Sequence, residues 1–232
     1  MRKLHCLLFL ACVPILLFSC LTFSVASINP KTVKKGAAAK SEAGEIGLSI
    51  QQKLVEGAGK VLGAKSLIIR GKPFAMDCTG TVLAIYYYAG IDLATPLKRY
   101  SGNGVARLYR YLANKNLLYS TTDPTPGDII FWDNTYDMNK DGYFNDQLTH
   151  MGMVIRAGQW GTIDYVHLNY SRGIVIERMN LKESDVNRKK INGEWVIINS
   201  PLRMKGEPKT ERWLASHLYK NFGKGYLLEN RP

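Results

Sequence analysis

A lone thiol and two imidazoles are the side chains with the most chemical reach in this chain. Its four cysteines fall at Cys6, Cys12, Cys20 and Cys78, and the first three lie in an apolar run from Cys6 to about Val25 that follows the basic "MRKLH". That order of charge and then apolar residues reads as an export segment, with Ser24 and Ala26 as the small residues before cleavage. Removing residues 1–26 leaves Cys78 alone, so no intrachain disulfide can form. An exposed thiol in an oxidising compartment oxidises and cross-links, so Cys78 is expected to be either a small buried core residue or a nucleophile. Two other fates of the N-terminus stay open. "LFSC" at Leu17 to Cys20 loosely matches a lipoprotein box, although Phe18 and the apolar "LTFS" fit it poorly, and the run nearly reaches the ~20 residues of an uncleaved anchor.

Asp77 is a helix N-capping residue type, the long apolar segment Cys78 to Ala89 follows it, and Gly90 closes it. The pattern predicts a helix with Cys78 in its first turn, where free backbone N–H groups and the dipole favour a thiolate. Lowering a thiol pKa from ~8.5 by three units takes about 4 kcal/mol, and a helix end supplies ~0.3–1, so a cationic partner must provide the rest. Imidazolium is the usual one. After residue 26 the histidines are His150, His167 and His217. In "THMGMVI", strand alternation puts His150 and Gly152 on one face, leaving room beside the ring, and in "DYVHLNY" His167 ends the next strand, which an antiparallel pairing would bring to His150. Each histidine alone reads equally as a half-buried ring bonded to a carbonyl, and His217, beside lysines near the C-terminus, is read that way.

Between these strands "DMNKDGYFND" sets Asp137, Asn139, Asp141, Gly142, Asn145 and Asp146 at the spacing of the first half of a calcium loop. Position twelve is Leu148 rather than the bidentate glutamate, so the expectation is either a weak structural calcium site, with Asp146 as the substitute ligand, or a polar hairpin tip.

Around these residues the chain divides simply. Residues 27–44 are a lysine- and alanine-rich tether, and residues 45–232 form one domain. Helices are expected over Ile46 to Val61, over Cys78 to Ala89 and over "GVARLYRYLANKNL". Pro124, Pro126 and Gly127 turn the chain into a strand at Asp128 to Trp132. Strands at His150–Ile155, Ile163–Leu168, Gly173–Arg178 and Glu194–Asn199 follow at hairpin spacing, and "ERWLASHLYKNF" predicts a last amphipathic helix as a C-terminal helical extension. Helices first and strands afterwards mean an α+β domain with an antiparallel sheet rather than alternating βαβ units.

Four segments resemble the NlpC/P60 family of papain-like cysteine peptidases, in the family's order. "DCTG" at Asp77 to Gly80 is similar to its DCSG nucleophile motif, "PGDIIFW" at Pro126 to Trp132 to its PGDLVFF strand, "HMGMVI" at His150 to Ile155 to its HVGIYI strand, and "YVHLNYSRGIVI" at Tyr165 to Ile176 to its later histidine and Gly-Val strand. The resemblance covers about residues 74 to 180. It implies a nucleophile helix packed on a central antiparallel sheet, with Cys78 as nucleophile, His150 as general base and then acid, and His167 as the orienting group. It implies hydrolysis of an amide in a peptidoglycan stem peptide through a thioester, with no cofactor needed for the chemistry. Asp77 and Thr79 flank the nucleophile and are assigned to the substrate's amine end. The interval from His150 to His167 is longer than the family's, which keeps Asn169 as an alternative orienter.

Arg2 and Lys3 carry two of the formal +12, so the exported chain keeps a strong positive charge, suited to anionic envelope polymers or simply to solubility. With 46% hydrophobic residues the chain is no disordered polymer. Export to the periplasm or the cell exterior argues for peptidoglycan and against nucleic acid as the partner, with membrane contact only through the N-terminus and a monomer as the expected state. The rival readings are a non-catalytic wall-binding module on the same fold and a CHAP-type amidase or acyltransferase.

Overall fold

Ser49 opens the first helix, α1 (Ile50–Val61), with a capping box: its hydroxyl accepts the Gln52 amide at 3.2 Å while Gln52 Oε1 accepts the Ser49 amide at 2.7 Å. The computed structural model describes residues 48–207 and 210–228. Residues 1–26, read above as an export segment, with their three cysteines, and the tether expected at 27–44 lie outside the described residues. Among the described residues, no helix is long and apolar enough to cross a membrane.

A short hairpin, β1 (Leu67–Ile69) and β2 (Lys72–Phe74), follows α1 and delivers the chain to α2 (Cys78–Tyr88). The latter is apolar nearly all round and accordingly sits in the core, with Val82, Ala84, Ile85 and Tyr86 fully buried. A single turn, α3 (Ala94–Leu97), leads to α4 (Gly104–Asn114), which Asn103 caps by accepting the Ala106 amide at 2.8 Å.

After the helices come β3 (Leu118–Tyr119), β4 (Ile129–Trp132), β5 (His150–Ala157), β6 (Thr162–Asn169) and β7 (Gly173–Asn180). A separate hairpin pairs β8 (Arg188–Ile191) with β9 (Glu194–Ile197), and the chain ends through α5 (Ala215–Leu218) and β10 (Tyr219–Gly223). The domain is thus α+β with a central antiparallel six-stranded sheet in the order β3-β10-β4-β5-β6-β7. One face, through Met151, Met153 and Val166, packs on α2 and its neighbours; the other, through Trp132, Val154 and Tyr165, forms a second apolar layer with Leu218 and Phe222.

Two sequence expectations change. Glu211 to Phe222, read as an amphipathic helix, instead forms one helical turn and then β10, which inserts between β3 and β4. The reason is tertiary: β4 is fully buried and needs a partner on its free edge, and Tyr219 and Phe222 suit a strand as well as a helix. Glu194 to Asn199 does form a strand, but it pairs with the exposed β8 and stays out of the central sheet.

Candidate active site

Cys78 occupies the first position of α2, where Asp77 Oδ1 accepts the Gly80 amide at 2.7 Å. Gly80 is required by space: a Cβ there would lie 1.9 Å from the Ala75 carbonyl, so any side chain would lift the preceding loop off the helix. Thr79 is wedged against α4, since a Cβ on Gly104 would lie 2.4 Å from the Thr79 hydroxyl. The half-buried sulfur meets β5 at Met151, the residue next to His150, and the Met151 amide together with the Thr79 hydroxyl and amide favours its ionised form. Burial outweighs them, and with the neighbouring Asp77 charge it pushes the thiol up.

His150 starts β5 opposite Trp132, and its ring stacks obliquely near the indole at 5.7 Å between centroids. His150 Nε2 lies 2.8 Å from His167 Nδ1, the two rings edge to face. The room that Gly152 leaves is filled by these partners: a Cβ there would lie 2.8 Å from the Val166 carbonyl and 3.2 Å from both His167 Cβ and the Trp132 ring. Burial and the adjacent His167 hold the His150 pKa well below the usual imidazole value. Burial, helped by Arg172, takes His167 down to about 3. Burial thus favours the neutral form of the thiol and of both imidazoles, in contrast to the thiolate–imidazolium pair expected from the helix end. Desolvation of three groups at once exceeds what the helix dipole returns.

Of the residues singled out from sequence, Cys78, Asp77, Thr79, His150 and His167 come to one end of α2 and the adjoining ends of β5 and β6. It is His167 rather than Asn169 that reaches His150. Asn169 caps the β6–β7 turn, its Oδ1 accepting the Ser171 amide at 3.1 Å and the Arg172 amide at 3.2 Å. His217 stays apart, 3.0 Å from Asp185.

The acidic insertion forms a self-capped turn. Asp137 accepts the amides of Asp141 and Gly142 at 3.2 and 2.8 Å, Asn139 Oδ1 accepts that of Asp141 at 3.0 Å, and Asp141 accepts that of Tyr143 at 2.8 Å. Asn145 donates to Asp141 at 3.2 Å, whereas Asp146 is buried with one carboxylate oxygen unpartnered. Among the described residues, no three His, Cys, Asp or Glu side chains cluster as a metal site would need.

No protein-family model and no curated protein matches this chain. A search of solved structures finds the structure of NlpC1 from Trichomonas vaginalis, at 17% identity and a TM-score of 0.37, over 58% of this chain and 40% of that one. The match thus spans less than half the length of that structure.

Two neighbours of the site escaped sequence reasoning. Tyr136, in the insertion, has its hydroxyl pushed up by burial and then by the electrostatic influence of Cys78, Asp146 and Glu207, so it lies on the side of the site that the sulfur's field reaches. Nothing in its local pattern marks it. Glu177 on β7 approaches His167 and did leave a signal: alternation puts this acid in phase with Val175 and the buried Met179.

Proposed function

We propose that the chain is an exported cysteine hydrolase of NlpC/P60 type that cleaves amide bonds in peptidoglycan stem peptides. The observation that carries this reading is the 2.8 Å contact of His150 Nε2 with His167 Nδ1, at the strand end where the Cys78 sulfur faces the Met151 amide. With Nε2 engaged, Nδ1 is the nitrogen of His150 left to act as base.

As the scissile carbonyl approaches, His150 Nδ1 takes the thiol proton and the sulfur adds to the carbonyl carbon, so the charge pair forms only during attack. The developing oxyanion is met by the backbone amide of Cys78 at the helix start, a donor aimed before the charge appears. His150 then protonates the leaving amine, the thioester forms, and a water activated by the same ring releases the acid. His167, neutral by virtue of its burial, accepts from Nε2 and stabilises the transient imidazolium. Asp77 and Thr79 border the sulfur and are assigned to the substrate's amine end.

Digesting purified sacculi with the full chain and identifying fragments by mass tests the proposal. New termini at stem-peptide amides are expected with the wild type and none with Cys78→Ala. Intact sacculi with both, alongside unchanged binding, would replace the hydrolase by a wall-binding module, and cleavage at the sugar–peptide amide would make it an amidase.

A further inference from the structure

Glu177 stands opposite Tyr165 in the β6–β7 ladder. Its side chain is only 4% exposed, and Oε2 lies 3.2 Å from Nε2 of His167, itself 1% exposed. The carboxylate cannot rotate away: Oε2 also accepts the Tyr165 hydroxyl at 3.2 Å, while Oε1 accepts Asn169 Nδ2 at 3.3 Å and is ion-paired with Arg172. The approach to His167 falls outside hydrogen-bond alignment, so Glu177 faces that ring nitrogen as a close carboxylate oxygen rather than as a bonded acceptor.

Deepening the hydrolase reading, on which its catalytic consequence rests, we propose that Glu177 is a positioning residue that sets the tautomers of His167 and His150 together. In a buried site a carboxylate oxygen 3.2 Å from a ring nitrogen favours the positive end of an N–H dipole there over a lone pair, so the nitrogen facing Glu177 carries the hydrogen. His167 is neutral, so a hydrogen on Nε2 leaves Nδ1 bare. Nδ1 lies 2.8 Å from His150 Nε2, and two bare nitrogens cannot sit so close, so His150 Nε2 donates. His150 is neutral too, and its lone pair is left on Nδ1, the nitrogen the proposed mechanism uses. The opposite arrangement would have to move the proton from Nε2 to Nδ1 on both rings at once. It would turn an N–H of His150, rather than a lone pair, toward the nucleophile.

The rings switch as a unit, so one spectrum decides the matter without distinguishing them. The full chain, labelled with nitrogen-15 and carrying His5→Gln and His217→Gln to clear the other two imidazoles, is read by ring nitrogen–proton correlation. Both remaining rings are expected as the Nε2–H tautomer. In Glu177→Leu a measurable Nδ1–H population should appear on both. Should that variant fail to fold, Glu177→Gln is read the same way, because its amide donates as readily as it accepts and so favours neither tautomer. Nδ1–H rings in the parent protein, or an unchanged pattern in the folded variant, would overturn the proposal.

Turnover is a separate readout. Losing the orienting carboxylate of a Ser-His-Asp triad costs about 10⁴ in kcat; with a second ring intervening, a fall of about 10- to 100-fold in kcat at unchanged KM is expected for the Glu177 variant. The expected tautomers without any wall-peptide turnover would remove the hydrolase and leave Glu177 in its role, whereas Nδ1–H rings with turnover would do the reverse.

Discussion

The Met151 amide faces the Cys78 sulfur, and Met151 is the next residue after His150. This relationship joins helix to sheet at the point where the chemistry is proposed, and the burial that comes with it raises the thiol rather than activating it. Alkylation of Cys78 by iodoacetamide, followed on its own peptide by mass spectrometry, is therefore expected to accelerate up to and beyond pH 9. A rate that levels off below pH 6 would reveal a preformed thiolate–imidazolium pair and contradict the neutral resting state.

Asp77 combines two effects that substitution can separate. Asp77→Asn keeps an N-cap but removes the charge that raises Cys78, so faster alkylation at neutral pH with little change in melting temperature is expected. Asp77→Ala also loses the cap and should cost about 1 kcal/mol of stability. Equal alkylation rates in the parent protein and Asp77→Asn would remove the charge from the account.

Folding stability should fall in mild acid. The histidines at 150 and 167 have folded pKa values below 6.5, so the unfolded chain binds their protons first and the folded state loses ground as pH drops below about 6.5. For His167 the loss continues down toward pH 3, its folded value. Above pH 6.5 neither ring contributes a slope. Melting temperatures between pH 4 and 8 should show this decline, and His167→Asn should flatten it; parallel curves would refute the assignment.

Gly152→Ala inserts a methyl group where the Val166 carbonyl, His167 and Trp132 already converge. Overpacking of this kind costs about 1–3 kcal/mol, and here relaxation would move the His150–His167 pair. A fall in turnover larger than the loss of stability accounts for is expected. Normal turnover would show that the site tolerates a shift of these rings.

With its carboxylates accepting its own amides, the Asp137–Asn145 turn is expected to behave as a polar hairpin tip, so millimolar calcium should leave the melting temperature of the full chain unchanged. A rise that EGTA reverses and Asp141→Asn removes would instead establish a calcium site there.

Much of this was legible in the residues because it is local. Asp77 before an apolar run marks the start of α2 whatever surrounds it, since the cap satisfies an amide three residues away. Period-two alternation located β5, β6 and β7 for the same reason, and antiparallel neighbours joined by short turns made the meeting of His150 and His167 foreseeable. Local patterns failed where the partner is remote. The stretch 219–223 has neighbours in sequence compatible with a helix, and only the vacant edge of β4, some ninety residues earlier, makes it a strand.

By itself, then, the amino-acid order determined which residues could react and on which face of which element each would stand, because capping and alternation act over three or four residues. Ionisation was decided only by the tertiary structure. Whether Cys78 is thiol or thiolate, whether His150 is charged, and which carboxylate stands behind His167 depend on how much water the packed sheet and helix exclude, and desolvation is a property of everything that surrounds a group rather than of its neighbours along the chain.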